Sequence, residues 1–173
     1  MAVKGLSQTS SLIAISGGVG EAVANTFTQA QIDLQLNPLD NEVFVVTAID
    51  MNVTPPDCDI SAVTTATSAS LSTTSRTGLG TIAQSSVLAE AQERIVNDEG
   101  GAGPSVSFSR KAGETPTADL PYLAIIATND FFAQVKGTAN ARPKGFTFRM
   151  WGYRAKADAS QYAALVQSEV LSS

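Results

Sequence analysis

Strict alternation of apolar and polar residues is the feature that most constrains the fold of this 173-residue chain. Residues 30–36 read Ala-Gln-Ile-Asp-Leu-Gln-Leu, and residues 146–154 read Phe-Thr-Phe-Arg-Met-Trp-Gly-Tyr-Arg. Successive side chains of a β-strand point to opposite faces, so each segment predicts a strand with one face on a core. In the second segment we expect Phe146, Phe148 and Met150 on the core face.

A longer apolar segment covers residues 42–53, between a turn around Pro38 and the pair Pro55-Pro56. Pro38 and the pair Pro55-Pro56 each end a strand, because proline has no backbone N–H to donate to a neighbouring strand. Alternation places six side chains on one face: Val43, Val45, Thr47, Ile49, Met51 and Val53. The opposite face also begins apolar, so we expect this strand to be covered on both sides at its start and solvated near Asp50 and Asn52.

Weaker alternation predicts the remaining strands. Residues 60–77 are rich in Ser and Thr, and we favour a strand over disorder because β-branched Thr fits a pleated surface. Val106 and Phe108 alternate with serines. The apolar segments 120–128 and 131–135 are separated by Asn-Asp, which predicts a hairpin.

Two short helices are expected beside these strands. Between Ser86 and Asn97 the apolar residues recur at helical intervals, and Glu90 stands four residues before Arg94. Near the end of the chain, Asp158 followed by Gln161 resembles a capping box, which predicts a helix with an apolar stripe formed by Tyr162, Leu165 and Val166.

About eight strands without regular strand–helix alternation indicate an all-β, antiparallel, two-sheet sandwich. Parallel strands would each need a crossover of about a dozen residues, for which the chain has no room. The single jelly roll is the leading topology. An immunoglobulin-like sandwich is the alternative, although its paired cysteines and tryptophan spacing are missing. We divide the chain into an N-terminal arm (1–22), the sandwich domain (23–156) and a C-terminal helical tail (157–173).

The glycine-rich segment 12–22 invites comparison with a dinucleotide-binding turn. The strand predicted at residues 30–36 occupies positions where the helix of such a site should still run. We therefore interpret segment 12–22 as a flexible arm with a glycine turn, and we expect no cofactor. The single cysteine, Cys58, cannot form an intrachain disulfide, and we expect it to be buried and inert.

Composition argues against an enzyme. The chain has no histidine, which removes imidazole-based nucleophile pairs and metal sites. Asp50, Asp57 and Asp59 could offer oxygen ligands to a cation, but the six to eight ligands of a calcium site are not evident, so we predict no metal site. No segment is long and apolar enough to cross a membrane, so we expect a product of the cytoplasm.

Charge is distributed unevenly along the chain. There are 11 Lys and Arg against 16 Asp and Glu, yet six of the basic residues lie in residues 136–156, which contain no acid. Such a local positive field suggests contact with an anionic partner. The candidate contact residues for a neighbouring subunit or nucleic acid are Lys136, Arg142, Lys144, Arg149, Trp151, Tyr153, Arg154 and Lys156.

The closing segment also carries a resemblance. Residues 146–159, Phe-Thr-Phe-Arg-Met-Trp-Gly-Tyr-Arg-Ala-Lys-Ala-Asp-Ala, followed by Tyr-Ala-Ala-Leu-Val-Gln-Ser-Glu at 162–169, are similar to the ends of capsid-like proteins in marine virus genomes. The chain thus resembles the small single jelly-roll coat proteins of tailless icosahedral viruses. The resemblance implies a virion protein, made in the host cytoplasm, that assembles with copies of itself, with a second coat protein and genome nucleic acid as further candidate partners. A carbohydrate- or receptor-binding sandwich, presenting Trp151 and Tyr153, is the alternative function.

Overall fold

The computed structural model describes residues 5–58, 64–96, 105–110, 113–114 and 121–171. Within these residues the chain forms strands, one α-helix and a short 3₁₀ helix at Pro38–Asp40. The strands are β1 (Leu6–Gln8), β2 (Ile13–Gly20), β3 (Thr28–Asp33), β4 (Glu42–Val53), β5 (Thr65–Ser72), β6 (Val87–Val96), β7 (Val106–Arg110), β8 (Gly113–Glu114), β9 (Ala124–Ile126), β10 (Asp130–Thr138) and β11 (Gly145–Ala157). The helix α1 spans Ala159–Leu171.

Two antiparallel sheets pack face to face as a sandwich, which confirms the predicted fold class. In the first sheet β11 lies between β4 and the β1 and β2 edge, and β4 also pairs with β8 and β9. The second sheet has the order β3-β10-β5-β6-β7. Consecutive strands lie in different sheets from β2 to β3, β3 to β4 and β4 to β5, then from β7 to β8, β9 to β10 and β10 to β11. This order, with the first and last strands of the sandwich side by side, is the double Greek key of a jelly roll.

The central strands β4 and β11 follow the sequence pattern closely. β4 has the predicted bounds, with both faces buried at its start and exposed side chains at Asp50 and Asn52. On β11 Phe146, Phe148 and Met150 are buried in the core between the sheets, as predicted.

The prediction that six side chains of β4 share one face is wrong in part, because the strand contains a bulge. Trp151 pairs with Ala48, but the next residue, Gly152, pairs with Val46, so Thr47 is an extra residue on β4. The Thr47 hydroxyl donates a hydrogen bond to the carbonyl oxygen of Trp151 at 3.1 Å. An extra residue reverses the alternation of the strand. Phe44 and Val46 therefore face the core with Ile49 and Met51, while Val43 and Val45 face the other side of the sheet.

The helix predicted between Ser86 and Asn97 is wrong, because residues 87–96 form strand β6. Val87, Ala89 and Ala91 are buried and alternate with less buried neighbours, so the segment has period two after all. The side chain of Glu90 forms an ion pair with Arg110 on β7 rather than with Arg94. The predicted helix end, at residues 97–101, lies outside the described residues.

The predicted hairpin between residues 120–128 and 131–135 is also wrong. β9 pairs with β4 in the first sheet, whereas β10 pairs with β3 and β5 in the second sheet. The tight turn at Asn129 therefore carries the chain across the sandwich, and the backbone N–H of Leu34 donates to its carbonyl oxygen at 2.7 Å. The strand predicted in the Ser/Thr-rich segment 60–77 is confirmed at Thr65–Ser72; residues 60–63 lie outside the described residues and residues 73–77 form no strand. The strand at Val106 and Phe108 is confirmed as β7.

The glycines of the N-terminal segment lie within a strand rather than a turn. Gly17 and Gly18 of β2 pair with Phe148 and Thr147 of β11. A Cβ atom at Gly17 would lie 2.8 Å from the ring of Phe148, so the glycine leaves room for this aromatic side chain. The prediction of a glycine turn is therefore wrong for Ile13–Gly20. β3 follows β2 without an intervening helix.

Helix α1 begins directly after Asp158 and packs on the outer face of the first sheet. Its predicted stripe of Tyr162, Leu165 and Val166 packs on a second apolar cluster built around Val43, Val45, Ala127, Ala155 and Ala157. The part of this outer face over β2, β11 and the end of β4 is not covered by the helix.

Candidate functional site

The basic segment does not form one surface. Three of its cations are in ion pairs with acids from elsewhere in the chain: Lys144 with Asp57 at 2.6 Å, Lys156 with Asp40 at 3.0 Å and Arg154 with Glu42 at 3.3 Å. The ion pairs reduce the positive field that the sequence suggests.

Lys144 is buried in a group of polar residues that fixes the loop after β10. Its ammonium group donates to Asp57, and this hydrogen bond lowers the pKa of the Asp57 carboxyl below its usual 3.8. The buried carboxylate of Glu21 accepts hydrogen bonds from the backbone N–H groups of Gly137 at 2.6 Å and Lys144 at 2.9 Å. Asn140 donates to the carbonyl oxygen of Ala66 at 2.7 Å. Lys144 therefore holds the loop in place and is not presented to solvent.

Arg154 and Tyr153 also serve the fold. The guanidinium of Arg154 donates to the carbonyl oxygens of Leu34 at 3.0 Å and Gln35 at 3.1 Å, which ties the chain after β3 to β11. Tyr153 packs with the apolar cluster beneath α1. Tyr153 therefore does not join Trp151 in an open pair of aromatic residues.

Lys136, Arg142 and Arg149 make no ion pair with a described residue, and all three are exposed. Lys136 lies on β10 in the second sheet, Arg142 in the loop before β11, and Arg149 on β11 in the first sheet. The structure therefore places these three cations on separate elements.

Among the described residues, the part of the outer face of the first sheet that lies away from α1 forms a groove, which we call the sheet groove. It has a volume of about 570 Å³. The side chains that give it its chemistry are Ser16, Asp50, Asn52, Thr147, Arg149 and Trp151. They come from β2, β4 and β11, which antiparallel pairing places side by side.

Arg149 and Trp151 are the residues of the sheet groove that the sequence singled out. The Arg149 guanidinium carbon lies 5.9 Å from the centroid of the Trp151 ring, within reach of a cation–π contact. The Arg149 Nε atom also donates to the Ser16 hydroxyl at 3.1 Å. The sequence marked Asp50 and Asn52 as solvated, and Asp50 also as a possible cation ligand. It did not place them beside Arg149, because their position next to β11 depends on strand register.

A second surface lies at the far edge of the second sheet, and we call it the β7 edge (Val106–Arg110). All five of its residues are exposed, and no described strand pairs with its outer side. Val106 and Phe108 are 48% and 57% exposed. An unpaired strand edge with apolar side chains is a surface on which another chain can dock.

The remaining predictions concern metals, membranes and Cys58. The described residues contain no group of three or more His, Cys, Asp and Glu side chains that could hold a metal ion. Asp59 lies outside the described residues. None of the described helices has the length and hydropathy needed to cross a membrane. Cys58 is exposed, so the expectation of a buried thiol is wrong. It lies in the short segment after Pro55-Pro56, beyond the end of β4.

Comparison with known proteins adds no family. No protein-family model matches the chain, and no curated protein sequence matches it.

Proposed function

We propose that the chain is a structural, non-catalytic capsid subunit that assembles with copies of itself into an icosahedral viral shell. The observation that carries the proposal is the β7 edge. A strand edge of this kind is usually protected by charge, a bulge or a covering element, because its unpaired N–H and C=O groups invite pairing with another chain. Here its side chains include exposed Val106 and Phe108, so contact with a second copy would bury apolar area.

Further apolar side chains are exposed at several separate places. They are Leu12, Val23, Leu39, Ile82, Val170 and Leu171. They belong to the connections before and after β2, the 3₁₀ helix before β4, the loop before β6 and the end of α1. Single exposed apolar residues are normal on a protein surface, so the proposal rests on the β7 edge rather than on them.

The jelly-roll topology is compatible with this proposal but does not select it. Jelly rolls occur in viral capsid proteins, lectin domains and cupins, and function depends on the site rather than on the fold. Contact with genome nucleic acid stays a prediction for Lys136 and Arg142, which make no ion pair with a described residue.

Electron microscopy of the purified full-length protein tests the proposal. We expect closed particles in negative stain and a matching mass by light scattering. Phe108→Glu should yield monomers, because a buried charge makes docking at the β7 edge unfavourable. These monomers should be folded, because a substitution at this exposed position changes the free energy of unfolding by only about 0.5 kcal/mol. Phe108→Leu is the matched control, which keeps an apolar side chain and should still assemble.

Two outcomes would contradict the proposal. Compact wild-type monomers over a range of salt and pH would exclude a shell subunit. Closed particles formed by Phe108→Glu as readily as by the wild type would show that the β7 edge is not the contact. Circular dichroism of the variants establishes that they are folded.

A further inference from the structure

The sheet groove presents a flat apolar ring beside polar groups. Trp151 is partly exposed, and its cross-strand neighbours on the same face are Ala14 of β2 and Ala48 of β4. The side chains of directly opposite residues in an antiparallel pair are neighbours. Because both neighbours of Trp151 are small alanines, its indole ring projects beyond them.

Three polar side chains of the groove are not used by the fold. Arg149 is directly opposite Asp50 across β11 and β4, yet the two form no ion pair, because Arg149 turns toward Ser16 and the Trp151 ring. The side chains of Asp50, Asn52 and Thr147 make no hydrogen bond to a described residue, and all three are exposed. Their donors and acceptors are therefore open to a ligand.

We propose that the sheet groove binds a neutral sugar, with Trp151 against the apolar face of the ring and Asp50 and Asn52 hydrogen-bonded to its hydroxyl groups. Ligand sites of this kind combine an apolar or aromatic surface with a few placed polar groups. A tryptophan adds area and rigidity to such a contact. The proposal is independent of shell assembly.

The charges in the groove favour a neutral ligand over a nucleic acid. Among the described residues that line the groove, Arg149 is the one cation, and the carboxylate of Asp50 lies directly opposite. Single-stranded nucleic acid binds to aromatic residues in grooves of positive charge that follow the phosphate backbone. One cation beside one carboxylate does not form a positively charged surface along which a phosphate backbone could lie.

Strand pairing argues against an extended peptide at the same place. β11 forms the floor of the groove and is already paired with β2 on one side and β4 on the other. A peptide that binds by strand addition needs a free edge. The ligand must therefore be recognised by side chains, which suits a compact molecule with several hydroxyl groups.

The length of the groove allows more than one sugar ring. A second hollow of about 630 Å³ shares Asn52 and Thr147 with the sheet groove and continues toward Thr54 and Glu93. Pockets of about 300–1,000 Å³ hold ligands of small-molecule size. We therefore expect a short oligosaccharide to bind more tightly than a monosaccharide.

Tryptophan fluorescence tests this proposal directly, because Trp151 is the one tryptophan of the chain. The full-length protein is titrated with glucose, galactose, mannose, N-acetylglucosamine and their β-linked disaccharides. At least one should give a saturable change in emission. Asp50→Ala and Asn52→Ala keep the tryptophan and should each weaken binding about tenfold, the loss expected for one hydrogen bond to a ligand. Gln92→Ala, on the second sheet, is the matched control and should bind as the wild type does.

Sialyllactose and an oligothymidylate serve as anionic comparisons. Tighter binding of either one than of every neutral sugar would overturn the proposal. A fluorescence titration that is the same for Asp50→Ala, Asn52→Ala and the wild type would show that the sugar does not bind in the sheet groove. Because assembly could cover the groove, the titrations are repeated with Phe108→Glu, and no response in either form would also overturn the proposal. Particle size is measured separately, so failure of the sugar site and failure of the shell are distinguishable.

Discussion

At the scale of single residues, Gly152 is the position where a side chain would be hardest to accept. A Cβ atom there would lie 2.4 Å from the carbonyl oxygen of Val45 and 2.5 Å from the ring of Phe44. The carbonyl belongs to the sheet and cannot move without disturbing β4. Because overpacking a filled core usually costs about 1–3 kcal/mol, we expect Gly152→Ala to lower the free energy of unfolding by that amount. Urea denaturation followed by circular dichroism measures it.

Gly78 is the matched control for this prediction. No atom lies within 4 Å of the place where its Cβ would be, and the residue does not have a positive φ. Gly78→Ala should therefore be neutral or slightly stabilising, because alanine restricts the unfolded chain more than glycine does. If Gly152→Ala is as stable as Gly78→Ala, the crowding at Gly152 is relieved by movement of the sheet, and the prediction is wrong.

At the scale of elements, the position of α1 depends on a buried carboxylate. Glu169 accepts hydrogen bonds from the backbone N–H groups of Ala127 and Thr128, both at 2.9 Å, which joins the end of the helix to the turn after β9. Burial raises the pKa of Glu169 above its usual 4.5, with a smaller contribution from Asp130, and this outweighs the hydrogen bonds that lower it. The folded protein therefore binds this proton more tightly than the unfolded chain does.

The pH dependence of stability follows from that direction. Because the pKa of Glu169 is higher in the folded state, this residue stabilises the folded protein fully below its unfolded-state pKa of 4.5. That stabilisation is lost as pH rises through the folded-state pKa. We expect the free energy of unfolding of the wild type, relative to Glu169→Gln, to decrease as pH rises through this window. Urea denaturation of both proteins at matched pH values measures the difference. A difference that increases with pH would contradict the assignment.

The elements also show what local sequence can predict. The strands β4 and β11 were predictable because period two is a property of each segment alone. Residues 87–96 are rich in Ala, Glu, Gln and Arg, which form helices readily, and their apolar residues fit both periods. The choice of strand depends on pairing with β5 and β7, which are distant in sequence. Tertiary contacts therefore override local propensity there.

The sheet groove was less predictable than the strands that build it. Arg149 and Trp151 were named as candidate contact residues, and alternation places them on the face of β11 opposite Phe148 and Met150. The position of Asp50 beside Arg149 depends on the register between β4 and β11, which are far apart in the chain. The position of the small Ala14 opposite Trp151 depends in the same way on the register between β2 and β11. The bulge at Thr47 changes which side chains face the groove and cannot be read from periodicity.

At the scale of the whole molecule, the net charge of −5 predicts how assembly should respond to salt. Copies of an acidic subunit repel one another, whereas the contacts proposed at the β7 edge are apolar. Raising the salt concentration from about 0.01 M to about 0.1 M shortens the screening length from about 30 Å to about 10 Å, which weakens that repulsion. Apolar contacts are not weakened by this screening. We therefore expect the protein concentration needed for particle formation to fall as NaCl is added.

Light scattering at a series of protein concentrations measures this threshold at each salt concentration. Phe108→Glu should stay monomeric throughout, because screening lowers its extra repulsion without restoring the apolar contact of Phe108. The opposite response, in which particles dissociate as salt is added, would mean that ion pairs between copies dominate the interface. The contacts would then lie at exposed charges such as Lys136 and Arg142 rather than at the β7 edge. Salt dependence thus separates the two kinds of interface that the charge distribution and the exposed strand suggest.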